Sequence, residues 1–291
     1  MNQFFQIGLS GLTTGAIYAL IALGFTIVFN ATRVTNFANG EFVMMGGLVS
    51  AWLVNSFGWH PLPAVLAAVL VVALLAVLLV RLGIEQARRK TVLSFAMITI
   101  GFSIAYRGLM QVTVGRDVIF VAPFGLFPDL RAFGLRLNSQ AIWVLLTLVV
   151  LSGLLTHLFL KTRIGKAMRA ASQSPRGAAL CGIDPQRMSM LAFALAGVAG
   201  ALAGALIAPI GAAFYEYGLT FGLKGFAAAI LGGFGSPVGA VLGGVLLGLV
   251  EAFAAGYLDS GYKDAIALAI LLGLLLLWPT GLLGRVDARR V

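Results

Sequence analysis

The sequence predicts an all-α polytopic membrane protein with about eight transmembrane helices, one broken or half-spanning helix and short cytoplasmic helices. Of its 291 residues, 60% are apolar and 10% are charged, and the mean hydropathy is +1.01. A soluble domain carries roughly 25% charged residues. So apolar a chain has too few polar residues to cover a water-facing surface. A soluble enzyme, a disordered chain and a nucleic-acid-binding domain are excluded, despite the net charge of +10.

Eight apolar segments are long enough to be transmembrane helices within a single transmembrane domain, residues 1–291. A helix needs about 20 apolar residues to cross the hydrocarbon core. The segments are 5–29, 41–57, 62–82, 92–111, 140–160, 188–210, 238–257 and 262–279.

Basic residues indicate which loops face the cytoplasm. The segments 81–90, 161–187 and 285–291 carry net charges of +3, +5 and +2, which together equal the whole excess. Because basic loops stay on the cytoplasmic side, these three are predicted inside. The loop 112–139 is then extracytoplasmic. The side of the N-terminus stays open, since residues 30–40 fit either a cytoplasmic turn or a break inside the membrane.

A ninth, Gly-rich segment, 213–232, crosses the membrane fully or part-way. The basic C-terminal tail is predicted on the cytoplasmic side, but spans 238–257 and 262–279 alone would leave that tail outside. An additional inward crossing by 213–232, full or part-way, is therefore required. It must therefore bring the turn at 234–239 near the cytoplasmic face. We interpret the glycines of the flanking helices as packing positions, since small residues let membrane helices approach closely. They are Gly197, Gly200, Gly204, Gly239, Gly243, Gly244 and Gly248.

The sequence contains no pattern that suggests an enzyme, a cofactor or a metal. Its one cysteine, Cys181, excludes an intrachain disulfide and a Cys-based metal cluster. His60 and His157 each stand alone near a span end, where packing or headgroup contacts are expected. No Walker sequence and no nucleophile–base–acid set occurs. Any energy must come from an ion gradient or from another subunit.

The cytoplasmic segment 161–187 predicts a compact pair of short helices. Ile164, Met168 and Ala171 recur at helical spacing and form one apolar stripe, from which Arg169 points away. Ser174–Pro175 and Asp184–Pro185 each supply an N-cap followed by proline at the first helical position. Such a rigid unit suits docking to a partner, although a basic amphipathic helix can also rest on anionic lipid.

Three stretches carry a resemblance to a known family. Residues 12–47, which contain NFANGE, are similar to the opening of LivH-type permeases, membrane subunits of branched-chain amino acid ABC importers. The run 162–184 resembles that family's ATPase-contacting loop, and 222–285 resembles its C-terminal block. The stretches occur in family order and cover nearly half of the chain.

The resemblance implies a pore subunit in a bacterial plasma membrane. Its expected partners are a homologous LivM-type permease, two cytoplasmic ATPase subunits, an extracytoplasmic amino-acid-binding protein and membrane lipid, with no nucleic acid. Within the run that resembles the ATPase-contacting loop, the residues predicted to couple to the ATPases are Gly165, Arg169, Ala170, Ala178 and Gly182. The residues at the NFANGE break that are predicted to line the pore or translocation path are Asn36, Asn39, Gly40 and Glu41. Asn39 replaces the histidine common there, so no imidazole titrates at this position.

Several alternatives stay open on the sequence. Buried charges in membrane helices are costly, so Glu41 is either pore-facing or a structural partner of the broken backbone, and Glu251 is more readily structural. Permeases for urea or short-chain amides look much alike. The Gly/Pro-interrupted segments 36–47 and 232–244 also allow an ion-coupled secondary transporter. A passive channel is a weaker possibility.

Overall fold

The computed structural model describes residues 2–87, 91–125, 129–132 and 135–257, together with isolated positions between 261 and 276 and residues 281–284. The described part is almost entirely helical. Its α-helices are α1 (Asn2–Thr32), α2 (Asn39–Phe57), α3 (Pro61–Leu79), α4 (Val92–Thr113), α5 (Ser139–Lys161), α6 (Arg163–Gln173), α7 (Pro175–Leu180), α8 (Pro185–Gly211), α9 (Tyr217–Gly232) and α10 (Pro237–Tyr257).

Six helices in the described residues are long and apolar enough to cross a membrane: α1, α3, α4, α5, α8 and α10. Helix α3 continues into a π-helical turn, Val80–Ile84. Helix α9 has only 16 residues. At 1.5 Å per residue it is about 24 Å long, which is short of the roughly 30 Å hydrocarbon core. The predicted span 262–279 lies mostly outside the described residues.

Loop 112–139 contains the only β-strands among the described residues. Helix α4 extends to Thr113, and β1 (Leu130–Ala132) pairs antiparallel with β2 (Leu135–Leu137) before α5 begins. The sequence analysis predicted no strands, so this small hairpin is an addition to the all-α architecture. Its register places Leu130 opposite Leu137.

Helix α1 is the centre of the fold. It packs against α8, α9 and α10, while α2 packs against α8 and α3. From Ala16 to Val28 its side chains are buried all round, which is the pattern of a helix enclosed by others rather than facing lipid. By contrast, α3, α4 and α5 expose rows of leucine, valine and isoleucine side chains. These three helices therefore form the periphery of the single chain.

The glycines are packing positions, as predicted. A Cβ atom on Gly15 would lie 2.7 Å from Val245 Cα of α10, and one on Gly200 would lie 2.8 Å from Phe42 Cβ of α2. A Cβ on Gly204 would overlap the carbonyl oxygen of Val43. Real Cβ atoms do not approach so closely, so the α1–α10 and α2–α8 crossings both depend on missing side chains.

Hydrogen bonds between distant segments define the two ends of the molecule. At one end, Gln6 Nε2 donates to the Arg136 carbonyl oxygen, and Arg136 N donates to Gln6 Oε1, both at 3.0 Å. Ile119 and Ala213 form a β-bridge between the loop after α4 and the loop after α8. The start of α1 thus lies at the same end as the loop 112–139.

At the opposite end, the C-terminus of α1 meets the turn after α9. Asn30 Nδ2 donates to the Gly235 carbonyl oxygen at 2.8 Å. Helix α6 packs against α1, α5 and α8 at this end. Leu282 N also donates to the Leu231 carbonyl oxygen at 2.8 Å. The turn 234–239 therefore lies at the end that carries the short helices, where the parity argument requires it.

Candidate functional site

The break between α1 and α2, residues 33–38, is shaped by two buried asparagine side chains. Asn36 Oδ1 accepts a hydrogen bond from the Ala38 backbone nitrogen at 3.0 Å, which forms a local turn. Asn39 Nδ2 donates to the Ile21 carbonyl oxygen of α1 at 3.2 Å. Both side chains are at most 1% exposed in the single chain. These amides fix where α2 begins on α1.

Gly24 and Gly40 allow this close approach. A Cβ on Gly24 would lie 2.8 Å from Asn39 Oδ1. A Cβ on Gly40 would overlap the Gly218 carbonyl oxygen and lie 2.9 Å from Gly222 Cα of α9. Gly40 is therefore at the crossing of α2 and α9, buried in the single chain.

Glu41 is the charged member of the predicted path residues, and its side chain is 2% exposed. Ser103 Oγ donates to Glu41 Oε1 at 2.9 Å, and the Arg107 guanidinium forms an ion pair with the same oxygen. Glu41 Oε2 has no hydrogen-bond partner among the described residues. The Arg107 side chain is 28% exposed, so the pair reaches from the interior to the surface of the single chain.

A polar stripe on α4 completes this cluster. Thr99, Ser103 and Arg107 follow one another at intervals of four residues and therefore share a helix face. Thr99 Oγ1 accepts from the Phe37 backbone nitrogen at 3.3 Å. Thr99 and Ser103 were not singled out from the sequence. Their four-residue spacing on an apolar helix was the available signal.

A second charged cluster joins α1, α9 and α10. Lys224 Nζ donates to Glu251 Oε1 at 2.8 Å and to Tyr18 Oη at 3.1 Å. Tyr18 Oη donates to Glu251 Oε2 at 2.7 Å. The Lys224 and Glu251 side chains are 14% and 7% exposed. Glu251 is thus a buried structural partner in this chain, which was the preferred interpretation.

The short helices α6 and α7 begin as their cap residues predict. Thr162 Oγ1 accepts from Gly165 N at 3.2 Å, and Ser174 Oγ accepts from Gly177 N at 3.2 Å. Asp184 Oδ1 accepts from Gln186 N at 2.9 Å at the start of α8. The chain reverses at Gly182, whose φ of +78° suits glycine and ends the second helix.

The apolar stripe of α6 differs by one residue from the prediction. The buried residues are Gly165, Met168 and Ala171, whereas Ile164 is 48% exposed. The physical reason is a close crossing with α5, because a Cβ on Gly165 would overlap the Leu158 carbonyl oxygen. The residue without a side chain, rather than the isoleucine, faces the chain interior.

The predicted coupling residues therefore divide into two groups. Gly165 and Ala178 are buried against their own chain, Ala170 is half-buried, and Arg169 and Gly182 are exposed. Leu180, at the end of α7, is 90% exposed and was not singled out from the sequence. Arg163, Lys166 and Arg176 are also exposed on these two helices. The outer surface of α6 and α7 is thus basic with two large apolar side chains, Ile164 and Leu180.

Together these features define a multi-pass α-helical membrane protein whose interior holds two ion-paired carboxylates and whose short basic helices lie at one end. Comparison with known proteins places it more narrowly. Residues 7–276 match the family model described as branched-chain amino acid transport system / permease component. The chain belongs to this family.

Relatives in the same family match along nearly the whole chain. The high-affinity branched-chain amino acid transport system permease protein LivH of Escherichia coli K12 is 32% identical over 303 residues, covering 99% of this chain and 98% of the relative. The permease protein BraD of Pseudomonas aeruginosa is 32% identical over 305 residues, with the same coverage.

A solved structure shares the fold at low identity. PsaBC from Streptococcus pneumoniae, in complex with Fab, superposes with a TM-score of 0.50 at 12% identity, covering 96% of this chain and 91% of that chain.

Proposed function

We propose that this protein is the pore subunit of an ATP-driven importer for branched-chain amino acids in a bacterial plasma membrane. The observation that carries the proposal is the full-length relationship to two permease proteins whose names specify branched-chain amino acid transport. Because identity extends over 99% of the chain, it covers the helical core and the short cytoplasmic helices alike.

The energy for transport comes from other subunits. The sequence carries no Walker motif, so two cytoplasmic ATPase subunits bind the nucleotide. A LivM-type permease forms the other half of the pore, and an extracytoplasmic binding protein delivers the amino acid. Most selectivity belongs to that binding protein, since a pore that held its substrate tightly would release it slowly.

The chain crosses the membrane nine times in this proposal, with the N-terminus outside. The six long apolar helices supply six crossings. Helices α2 and α9 and the segment 262–279 supply three more. The contact of Gln6 with Arg136 supports an extracytoplasmic start of α1, because loop 112–139 is the loop predicted outside.

The translocation path runs beside the break at residues 36–41. A guanidinium on a membrane helix avoids lipid and faces protein or water. The exposed edge of Arg107 therefore meets the second permease subunit or the aqueous path, and Glu41 holds it there. Asn36, Asn39 and Gly40 contribute indirectly, because they fix the position of the backbone that carries Glu41.

The outer surface of α6 and α7 is the coupling surface. Arg169, Ala170 and Gly182 contact the ATPase, while Gly165 and Ala178 seat the two helices on α5 and α8. Leu180 supplies an apolar anchor, since it is 90% exposed. Interfaces typically combine such an anchor with a charged rim.

Reconstitution tests the function. The chain is purified with its neighbouring permease, ATPase and binding-protein subunits and placed in liposomes. Radiolabelled leucine, isoleucine and valine should accumulate only with ATP and the binding protein. Uptake of urea or acetamide in their place would support the related amide permeases. Uptake driven by an ion gradient without ATP would overturn the proposal.

A further inference from the structure

A cavity of about 350 Å³ lies between the membrane helices and the short cytoplasmic helices. Small-molecule sites are clefts of roughly 300–1,000 Å³ lined mostly by apolar groups with a few polar ones. Its walls come from the end of α1, the π-helical turn, the start of α4, α6 and the start of α8. A ligand here would contact the membrane core and the coupling helices at once.

Among the described residues, the charged side chains that line this cavity are one acid and one base. Glu85, directly after the π-helical turn, contributes a carboxylate whose Oε1 is buried and has no hydrogen-bond partner among the described residues. Arg33, directly after α1, contributes a guanidinium, which also lies 5.7 Å from the centroid of the Phe29 ring. A carboxylate in such a partly buried position is stabilised by hydrogen-bond donors, so a ligand that supplies an N–H to Glu85 is favoured.

The remaining wall is largely apolar. Val80, Ile84, Val92 and Phe95 line it on the membrane side, and Ser172 lines it from α6. A ligand with an aliphatic portion can therefore bury that portion against these side chains.

The backbone is unusual at Arg33 and directly before Glu85. Arg33 has a φ of +58°, which places a non-glycine residue in the left-handed region. Glu85 follows the π-helical turn Val80–Ile84, and π-helical turns are frequent at functional sites. A non-glycine residue in the left-handed region costs free energy, so the surrounding structure must hold Arg33 in this conformation.

We propose that this cavity binds a small zwitterion that has an ammonium group, an acidic group and an aliphatic portion. The ammonium donates to the Glu85 carboxylate, the acidic group accepts from Arg33, and the aliphatic portion lies on Val80, Val92 and Phe95. A free branched-chain amino acid has this chemistry, and so does phosphatidylethanolamine, whose headgroup pairs an ammonium with a phosphate.

Binding of the zwitterion in this cavity affects transport. This consequence rests on the proposed importer function. A bound ligand also contacts Ser172 of α6 and Pro185 of α8, which line the same cavity, so it ties α6 and α8 to the ends of α1 and α3 and opposes their relative movement. Cytoplasmic amino acid would then slow further import. This regulation is separate from the pore, since the cavity lies at the cytoplasmic end beside the coupling helices.

Binding to the purified full-length chain tests the site. Leucine should raise the thermal unfolding temperature in micelles, whereas 4-methylpentanoate, without the ammonium, and isoamylamine, without the carboxylate, should not. Glu85→Gln should weaken leucine binding about tenfold, the size expected for losing a charged hydrogen bond. Asp117→Asn, an equal charge change on an exposed outer loop, should bind as the native chain does.

Two further arms complete the test. Ser172→Leu fills the cavity from α6 and should also abolish binding, which covers the case in which Glu85→Gln does not fold. Nanodiscs with and without phosphatidylethanolamine identify the source. If the lipid alone raises the unfolding temperature and its effect is lost in Glu85→Gln, the zwitterion is the lipid headgroup.

The results that would contradict this binding site differ from the results that would contradict the proposed function. If neither zwitterion stabilises the native chain, or if Glu85→Gln binds as tightly as the native chain, the site does not exist. In liposomes, leucine inside should slow uptake by the native importer severalfold but not uptake by Glu85→Gln. A native importer that takes up leucine without this feedback contradicts the regulation alone, while absent uptake contradicts the function.

Discussion

The two buried carboxylates of the described chain each have a cation within hydrogen-bonding reach. Glu41 pairs with Arg107, and Glu251 pairs with Lys224. An isolated charge in a membrane helix is expensive, and pairing offsets that expense. The pairs differ in surroundings, because the Arg107 side chain is 28% exposed and that of Lys224 is 14% exposed. The first pair reaches the surface of the chain, and the second holds α9 and α10 together around Tyr18.

Breaking the second pair should destabilise the fold. Lys224→Met or Glu251→Gln leaves one buried charge without its partner, which costs roughly 3–5 kcal/mol. The double variant Lys224→Met/Glu251→Met removes both charges and should recover most of the lost stability. Thermal unfolding of the purified chain, followed by fluorescence-detected size exclusion, measures this.

Glu216→Gln is the matched control, since Glu216 is exposed just before α9. It should unfold as the native chain does. If the double variant loses the sum of the two single losses, the two residues do not stabilise the fold as a pair.

At the scale of elements, the helices are joined by close crossings at glycine. Adding a single methyl group tests each crossing. Gly204→Ala should destabilise the chain, since its Cβ would overlap the Val43 carbonyl oxygen of α2. Gly153→Ala in α5 meets nothing within 4 Å and should be neutral or stabilising, because alanine favours helix over glycine by about 0.5–1 kcal/mol. Thermal unfolding of the two variants gives the comparison, and equal behaviour would contradict the packing role.

The proposed coupling surface on α6 and α7 gives a separate prediction. Arg169 is exposed on α6, so Arg169→Glu should leave the chain folded and inserted but prevent its co-purification with the ATPase subunits. An interfacial arginine binds carboxylates in bidentate fashion, and reversal creates repulsion at the same place. Co-purification and leucine uptake are measured at equal expression.

Arg116→Glu serves as the control, because Arg116 is exposed on the opposite end of the molecule. It should assemble normally. If Arg169→Glu also assembles and transports normally, α6 is a lipid-surface helix instead. Gly165→Trp would not separate these outcomes, because Gly165 contacts α5 of its own chain and the substitution would displace α6.

At the scale of the whole molecule, the hydrogen bonds at its two ends predict the topology. The native chain has one thiol, Cys181, which is exposed beside α7. A membrane-impermeant maleimide should label it in inside-out vesicles and not in intact cells. In a Cys181→Ser background, Gln3→Cys should show the reverse, because the start of α1 lies with the loop 112–139. Labelling of both thiols from the same side would overturn the arrangement.

The sequence by itself determined the features that depend on near neighbours in the chain. The bounds of α3, α5 and α10 lie within three residues of the predicted spans, because a run of about twenty apolar residues by itself predicts a membrane helix. Ser174 and Asp184 cap as predicted, since a cap contacts residues only two or three positions away. The family resemblance likewise rested on contiguous stretches.

Only the tertiary structure decided which distant residues meet. Glu41 and Arg107 are 66 positions apart, and Tyr18 and Glu251 are 233 apart. The sequence pattern predicted that Ile164 rather than Gly165 belongs to the buried stripe of α6. That prediction was wrong because the pattern contains no information about the α5 backbone, which leaves no room for a side chain at position 165. Likewise, only the tertiary structure shows that Gln6, at the start of α1, contacts Arg136 in the loop 112–139. Helices and their caps depend on interactions between residues close in the sequence, so the local sequence predicts them. Which distant side chains contact one another depends on how whole helices pack, and no short stretch of the sequence contains that information.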